Sequence, residues 1–158
     1  MTHPELATFP DIALLLPHSA PMLLLDRLVR VSDTSACCEV KVGERLALFL
    51  EPDGSLPGWI GIELMAQSVA AWSGYQGWLR GEPPQIGLLL GARKYDALQP
   101  RLPAGALLTI EVSQLLQDGG LSSFNCLIYC AGERVAEARL STLEPTEQQL
   151  TTLLGSSR

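Results

Sequence analysis

At 158 residues the chain has the length of one domain with room for a sizeable core. A hydrophobic fraction of 47% and a mean hydropathy of +0.19 are high for a soluble protein, and imply surface hidden in a partner or a tunnel for an apolar ligand. The net charge of −6 argues against nucleic acid, which selects clustered Lys and Arg, and the apolar stretches are too short and interrupted to span a bilayer.

The N-terminus has no basic start followed by an apolar run and a small-residue cleavage site, so no secretion signal is visible and a cytoplasmic location is expected. Residues 1–10 and 146–158 read as loose ends of a single domain. Asp11 is placed to cap a short helix through Leu16, which Pro17 stops. Leu23–Ser32 reads as a strand with Asp26 and Arg27, a structural pair, at its middle. Cys37–Val42 alternates Cys38, Val40 and Val42 against Glu39 and Lys41, as a half-buried strand does.

Residues 43–56 read as a loop turned by Pro52-Asp53-Gly54. Pro57 then opens a helix running to about Leu79, at the position where its missing N–H does no harm. That helix is apolar nearly all round, Glu63 is its only charge, and such a composition predicts a place inside a core. Four strands follow, at about 86–97, 105–117, 122–131 and 134–143. Gly119-Gly120 and Gly132-Glu133 join the last three as hairpins. The sum is α+β: a long antiparallel sheet wrapped around one helix.

Cys37, Cys38, Cys126 and Cys130 show no metal spacing, and reduced, buried thiols are expected. No metal or organic cofactor is implied.

Two segments carry a resemblance. LLPHSAPMLLLDRL, Leu15 to Leu28, is similar to LLPHRYPFLLVDRV of the FabA/FabZ-type 3-hydroxyacyl-[acyl-carrier-protein] dehydratases. LPGWIGIELMAQSVA, Leu56 to Ala70, is similar to their FPGVLILEAMAQ. The chain also resembles the accessory (ApeP-like) dehydratases of aryl-polyene biosynthesis, which share the PGW…ELMAQ…WSG helix, the GxxLGAR strand start (Gly87–Arg93) and a QD…SF…C hairpin (Gln117 to Cys126). The resemblance implies a hot-dog fold, dehydration of 3-hydroxyacyl groups on an acyl carrier protein, and a homodimer or a hetero-oligomer with a second hot-dog dehydratase.

Dehydration needs a base for the C2 proton, an acid for the departing hydroxyl, and donors for a thioester oxygen that gains enolate character. Glu63 stands where the family has its acidic residue, and burial in an apolar helix would push its carboxyl towards the neutral form an acid catalyst needs. The bland alternative is a buried ion pair with an arginine of the sheet. Gln67, one turn on, is placed to hydrogen-bond that carboxyl or contact ligand. N–H groups near Gly58 and Trp59 are candidate holders of the thioester oxygen, and Trp59 is the tryptophan expected to touch substrate. Arg80, Arg93, Lys94 and Arg101 are candidates for a basic patch facing a carrier protein, and scattered solvated charges are the alternative.

The chain departs from the family at the catalytic histidine. Counting back from Gly58 without gaps reaches Phe49 where the family has that residue, so Phe49 is expected there as a substrate contact and not as a base. His3 and His18 are the only histidines, and His18 matches the family's PHRYP histidine, which structures a turn. Three readings follow, in order of preference. A partner supplies the base to a site containing Glu63, His18 swings in as the base, or the chain binds acyl groups without catalysis. Thioesterase chemistry with Glu63 as base or nucleophile is a fourth.

Overall fold

The computed structural model describes residues 9–18, 21–83, 88–143 and 152, with residues 88–90 and 93 described by their backbone. Most of both expected loose ends, and the Gly87 that begins the GxxLGAR start, lie outside these residues. A 3-10 turn at Ile12–Leu14, with the Asp11 carboxylate accepting from Ala13 N–H at 3.0 Å, precedes β1 (Arg27–Val31) and β2 (Ser35–Lys41). A second 3-10 segment occupies Glu44–Phe49, followed by β3 (Leu56–Pro57), a 3-10 turn at Gly58–Ile60 and α1 (Gly61–Leu79). β4 (Leu88–Ala97), β5 (Arg101–Leu102), β6 (Leu107–Asp118), β7 (Leu121–Cys130) and β8 (Glu133–Leu143) complete the order.

Six antiparallel strands make one sheet in the order β1-β2-β6-β7-β8-β4, and β3 pairs with β5 beside it. Period-two alternation puts Cys38 and Val40, Leu108, Ile110 and Val112, and Phe124, Cys126 and Ile128 on the face that α1 covers, all nearly solvent-free. The segment after the first 3-10 turn also packs closely on α1, because Gly74 lies against the Leu15 carbonyl, where a Cβ would collide with backbone. Trp72 and Gln76 both donate to the Ser32 carbonyl at 3.0 Å, tying α1 to the β1–β2 turn.

Several expectations shift. The strand expected from Leu23 begins at Arg27, because Leu24 N–H bonds to a side chain of α1 rather than to a neighbouring strand. The loop at 43–56 contains a 3-10 segment and half of a two-residue ladder. Pro57 caps the 3-10 turn that precedes the α-helix proper at Gly61. The last hairpin turns on Ala131 and Gly132, both at positive φ as a type I′ turn requires, rather than on Gly132-Glu133. Asp26 and Arg27 do not pair. Neighbours in extended chain point to opposite faces, so Asp26 takes Arg45 at 2.8 Å and Arg27 takes Glu39 across the ladder.

The cysteines are free, with Cys37, Cys38 and Cys126 buried and Cys130 partly so. Burial pushes the Cys38 and Cys126 thiols up from 9.0 to about 12. The unfolded chain sheds these protons from about pH 9 and the native chain only near 12, so their contribution to stability is whole below pH 9 and is lost as pH rises between those values. Urea unfolding midpoints should fall across that window. A flat midpoint would contradict the buried, protonated state.

Candidate active site

α1 presents one face to the sheet, and its apolar circumference is not buried all round. Leu64, Met65, Gln67, Ser68, Val69 and Ala71 are buried, whereas Ile62, Glu63, Ala66 and Ala70 are only partly so. The Glu63 side chain is 40% exposed, which corrects the expectation of a solvent-starved carboxyl. Composition alone cannot report that a single chain covers one side of a helix and leaves the other open. The arginine pair weighed for Glu63 is also replaced: among the described residues its ionic neighbour is His18, with Nε2 4.0 Å from Glu63 Oε1.

Gln67 is fully buried and spends its whole amide on this corner. Its Oε1 accepts from Leu24 N–H at 2.9 Å. Its Nε2 donates to the Met22 carbonyl at 2.7 Å and to Glu63 Oε1 at 3.1 Å. One turn of helix separates Gln67 from Glu63, so the amide meets the carboxylate on the same face while its oxygen pins the chain that follows His18. The support role expected for Gln67 is thereby given a geometry.

His18 is brought to the site although it was expected to structure a turn. Its side chain is 31% exposed, but Nδ1 is buried and has no hydrogen-bond partner among the described residues.

At the helix entrance, Gly58 N–H donates to the Pro100 carbonyl at 2.9 Å. It is therefore committed to the protein, which corrects its candidacy as a holder of the thioester oxygen. Trp59 N–H is the next donor at this end, and neither the 3-10 turn nor α1 carries a side-chain cap. The Trp59 ring is 64% exposed, and Met22 beside the Gln67 amide is also exposed. Phe49 ends its 3-10 segment partly buried against the core, a packing role with no proton to give. Tyr95 is a residue that sequence reasoning missed. Its hydroxyl donates to the Gly58 carbonyl, and only the register of β4 reveals that it points inward.

The expected basic patch is not an uncompensated one. Arg101 lies 3.9 Å from Asp53 and Arg80 lies 3.1 Å from Glu82, both on the surface. The Arg93 side chain is outside the described residues. Clefts of about 790 and 730 Å³ open around Arg30, Cys37 and Glu111 and around Asp26, Lys41 and Arg45, and Glu63 lines neither. Among the described residues there is no metal-ligating cluster and no helix long and apolar enough to cross a membrane.

Comparison with known proteins places this geometry. The family model described as "ApeP-like: ApeP dehydratase" matches residues 10–154. A solved structure, the dehydratase heterocomplex ApeI:P from Xenorhabdus doucetiae, superposes with a TM-score of 0.86 at 38% identity, covering 93% of this chain and 99% of that one. The 3-hydroxyacyl-[acyl-carrier-protein] dehydratase FabZ of Bartonella quintana is 27% identical over 143 residues, 88% of this chain and 90% of that protein. The Escherichia coli PaaI protein of phenylacetic acid degradation, at 17% identity and a TM-score of 0.60 over 76% of this chain and 79% of that one, shares the fold. With its antiparallel hot-dog sheet around one central helix, the chain belongs to the ApeP-like dehydratase family.

Proposed function

We propose that this chain is a subunit of a cytoplasmic 3-hydroxyacyl-[acyl-carrier-protein] dehydratase of the aryl-polyene type. In this reading Glu63 is the general acid and a partner hot-dog dehydratase supplies the base histidine. The observation that carries it is the open side of the helix entrance: a Glu63 carboxyl held by Gln67 and 40% exposed, one turn after the exposed Trp59 and joined through Gln67 to the backbone of the exposed Met22. Apolar side chains around a reactive group are what a partner or an acyl chain covers, and covering them would give the carboxyl the water-poor setting that acid catalysis needs.

The reaction balances with two proton carriers. The base takes the C2 proton of the thioester, and charge develops on the thioester oxygen. The C3–O bond breaks as Glu63 delivers its proton, water leaves, and the C2–C3 double bond remains. Trp59 N–H, at the positive end of the helix, is the donor assigned to the thioester oxygen. The heterocomplex superposition supports a second hot-dog subunit as the partner.

A second reading rests on the 4.0 Å separation of His18 Nε2 and Glu63 Oε1, which puts an acid and a base on one chain. Nδ1 finds no acceptor among the described residues, which weighs against it, because a general base is held by an acceptor on its other nitrogen.

One experiment separates them. The chain is incubated alone, and then with its partner dehydratase, on a 3-hydroxyacyl carrier-protein thioester, and loss of water is followed by mass. Activity only in the mixture is expected. Activity of the chain alone would overturn the shared site in favour of His18. Free acid and carrier thiol would identify a thioesterase instead.

A further inference from the structure

The Gly58–Trp59 peptide is gripped on every side that the protein can reach. Its carbonyl accepts from Gly61 N–H within the helix turn and from the Tyr95 hydroxyl. The preceding N–H is held by Pro100, and a Cβ at Gly58 would stand 2.6 Å from the Gln99 carbonyl. Segment 95–100 is therefore a wall laid flush against the helix entrance, and only glycine fits between them.

Tyr95 reaches this point through an irregularity in β4. Arg93 pairs with Arg139 and Asp96 with Glu137, so one extra residue is inserted between them. Lys94 takes up the insertion at φ 55°, a left-handed conformation that a lysine adopts at a cost. The bulge turns Tyr95 inward onto Gly61, where an added Cβ would collide with its hydroxyl and lie 3.1 Å from Ile128 Cδ1. Burial raises the phenol from 10.0 to about 12, so the proton stays in place as a donor throughout the working pH range.

A trans peptide is planar, with its C=O and N–H pointing in opposite directions. Fixing the Gly58 oxygen therefore fixes the direction of Trp59 N–H, out of the N-terminal end of the helix. A hydrogen bond accepted at the oxygen also polarises the peptide and strengthens the donor at the other end. We propose that Tyr95 is a positioning residue of the dehydratase site: by donating to the Gly58 carbonyl it aims and strengthens the Trp59 N–H that holds the thioester oxygen. This rests on the dehydratase reading of Glu63.

Tyr95→Phe removes only the hydroxyl. In the chain assembled with its partner dehydratase, kcat is expected to fall roughly tenfold with KM unchanged, well short of the 10²–10³-fold cost of deleting an oxyanion donor outright. A spectroscopic readout excludes a merely structural effect. Wild-type protein should lower the infrared stretch of a bound acyl-pantetheine thioester labelled with 13C at the carbonyl. Tyr95→Phe should return that stretch part-way towards its value in water.

Gly61→Ala reads the same bond from the other side, should Tyr95→Phe fail to assemble. It displaces the hydroxyl while the tyrosine stays in place, and should lower kcat and return the carbonyl stretch part-way. Where Tyr95→Phe does assemble, the added cost in that background should be smaller, because only the 3.1 Å approach to Ile128 Cδ1 and the 3.3 Å approach to the ring remain. Unchanged kcat and carbonyl stretch in Tyr95→Phe, with Glu63→Gln inactive in the same assay, overturn the role of Tyr95 alone. An active Glu63→Gln overturns the reading beneath it.

Discussion

Glu63→Gln is expected to lower the kcat of dehydration by about 10²–10⁴-fold, the usual contribution of a positioned general acid. The substitution is close to isosteric and can keep the local geometry, because a glutamine oxygen at position 63 can still accept from Gln67 Nε2, as Glu63 Oε1 does at 3.1 Å. What disappears is the proton that the departing hydroxyl needs. Assembly with the partner and substrate KM should therefore be little changed, and water loss followed by mass on the carrier-bound substrate is the measurement. A complex that stays fully active with glutamine at position 63 would leave this chain as an acyl-binding or scaffolding subunit of a dehydratase, with the chemistry elsewhere.

The parts of the fold that were legible in the sequence are those governed by period and turn chemistry. β6 alternates from Leu107 to Val112 and β7 from Phe124 to Ile128, and Gly119 and Gly120 both sit at positive φ, so the hairpin between β6 and β7 could be placed from its residues. The misplaced hairpin differs by one residue because Ala131, which carries no turn signal, adopts φ 52°. Glu63 was found as the sole charge on an apolar helix, a local property. Its exposure was misjudged, because exposure depends on which side of α1 the sheet covers. Ion pairing was misread for a similar reason. Asp26 and Arg27 are adjacent in sequence but reach Arg45 and Glu39, 19 and 12 residues away. Tyr95 was invisible because a bulge reverses the inward-outward alternation, and no residue pattern around Lys94 announces it.

His18 shows how sequence and structure divide the problem. Its motif marks a turn, and the turn is held by a residue from a different motif: Gln67 ties Met22 and Leu24, just beyond His18, to α1 beside Glu63. The two segments that carry the family resemblance are thus one physical unit, and Gln67 is the joint between them.

That joint can be tested by Gln67→Met, which keeps the length and roughly the volume of the side chain while removing every hydrogen bond. Leu24 N–H would be left buried without a partner, the Met22 carbonyl would lose its donor, and Glu63 would lose its anchor. An orphaned buried donor costs about 1–3 kcal/mol and the two other lost bonds about 1 kcal/mol more each, so the chain should lose about 3–5 kcal/mol. For a domain of this size that corresponds to a fall in Tm of roughly 6–20 °C. The activity that remains well below the new Tm is the sharper readout. If Gln67 only supports the core, kcat there should match the wild type. If it holds Glu63 against the 22–24 segment in the geometry proton transfer needs, kcat should fall even at temperatures where the variant is fully folded by circular dichroism. Wild-type stability together with wild-type kcat would show that the carboxyl is positioned by the partner subunit, and not by this chain.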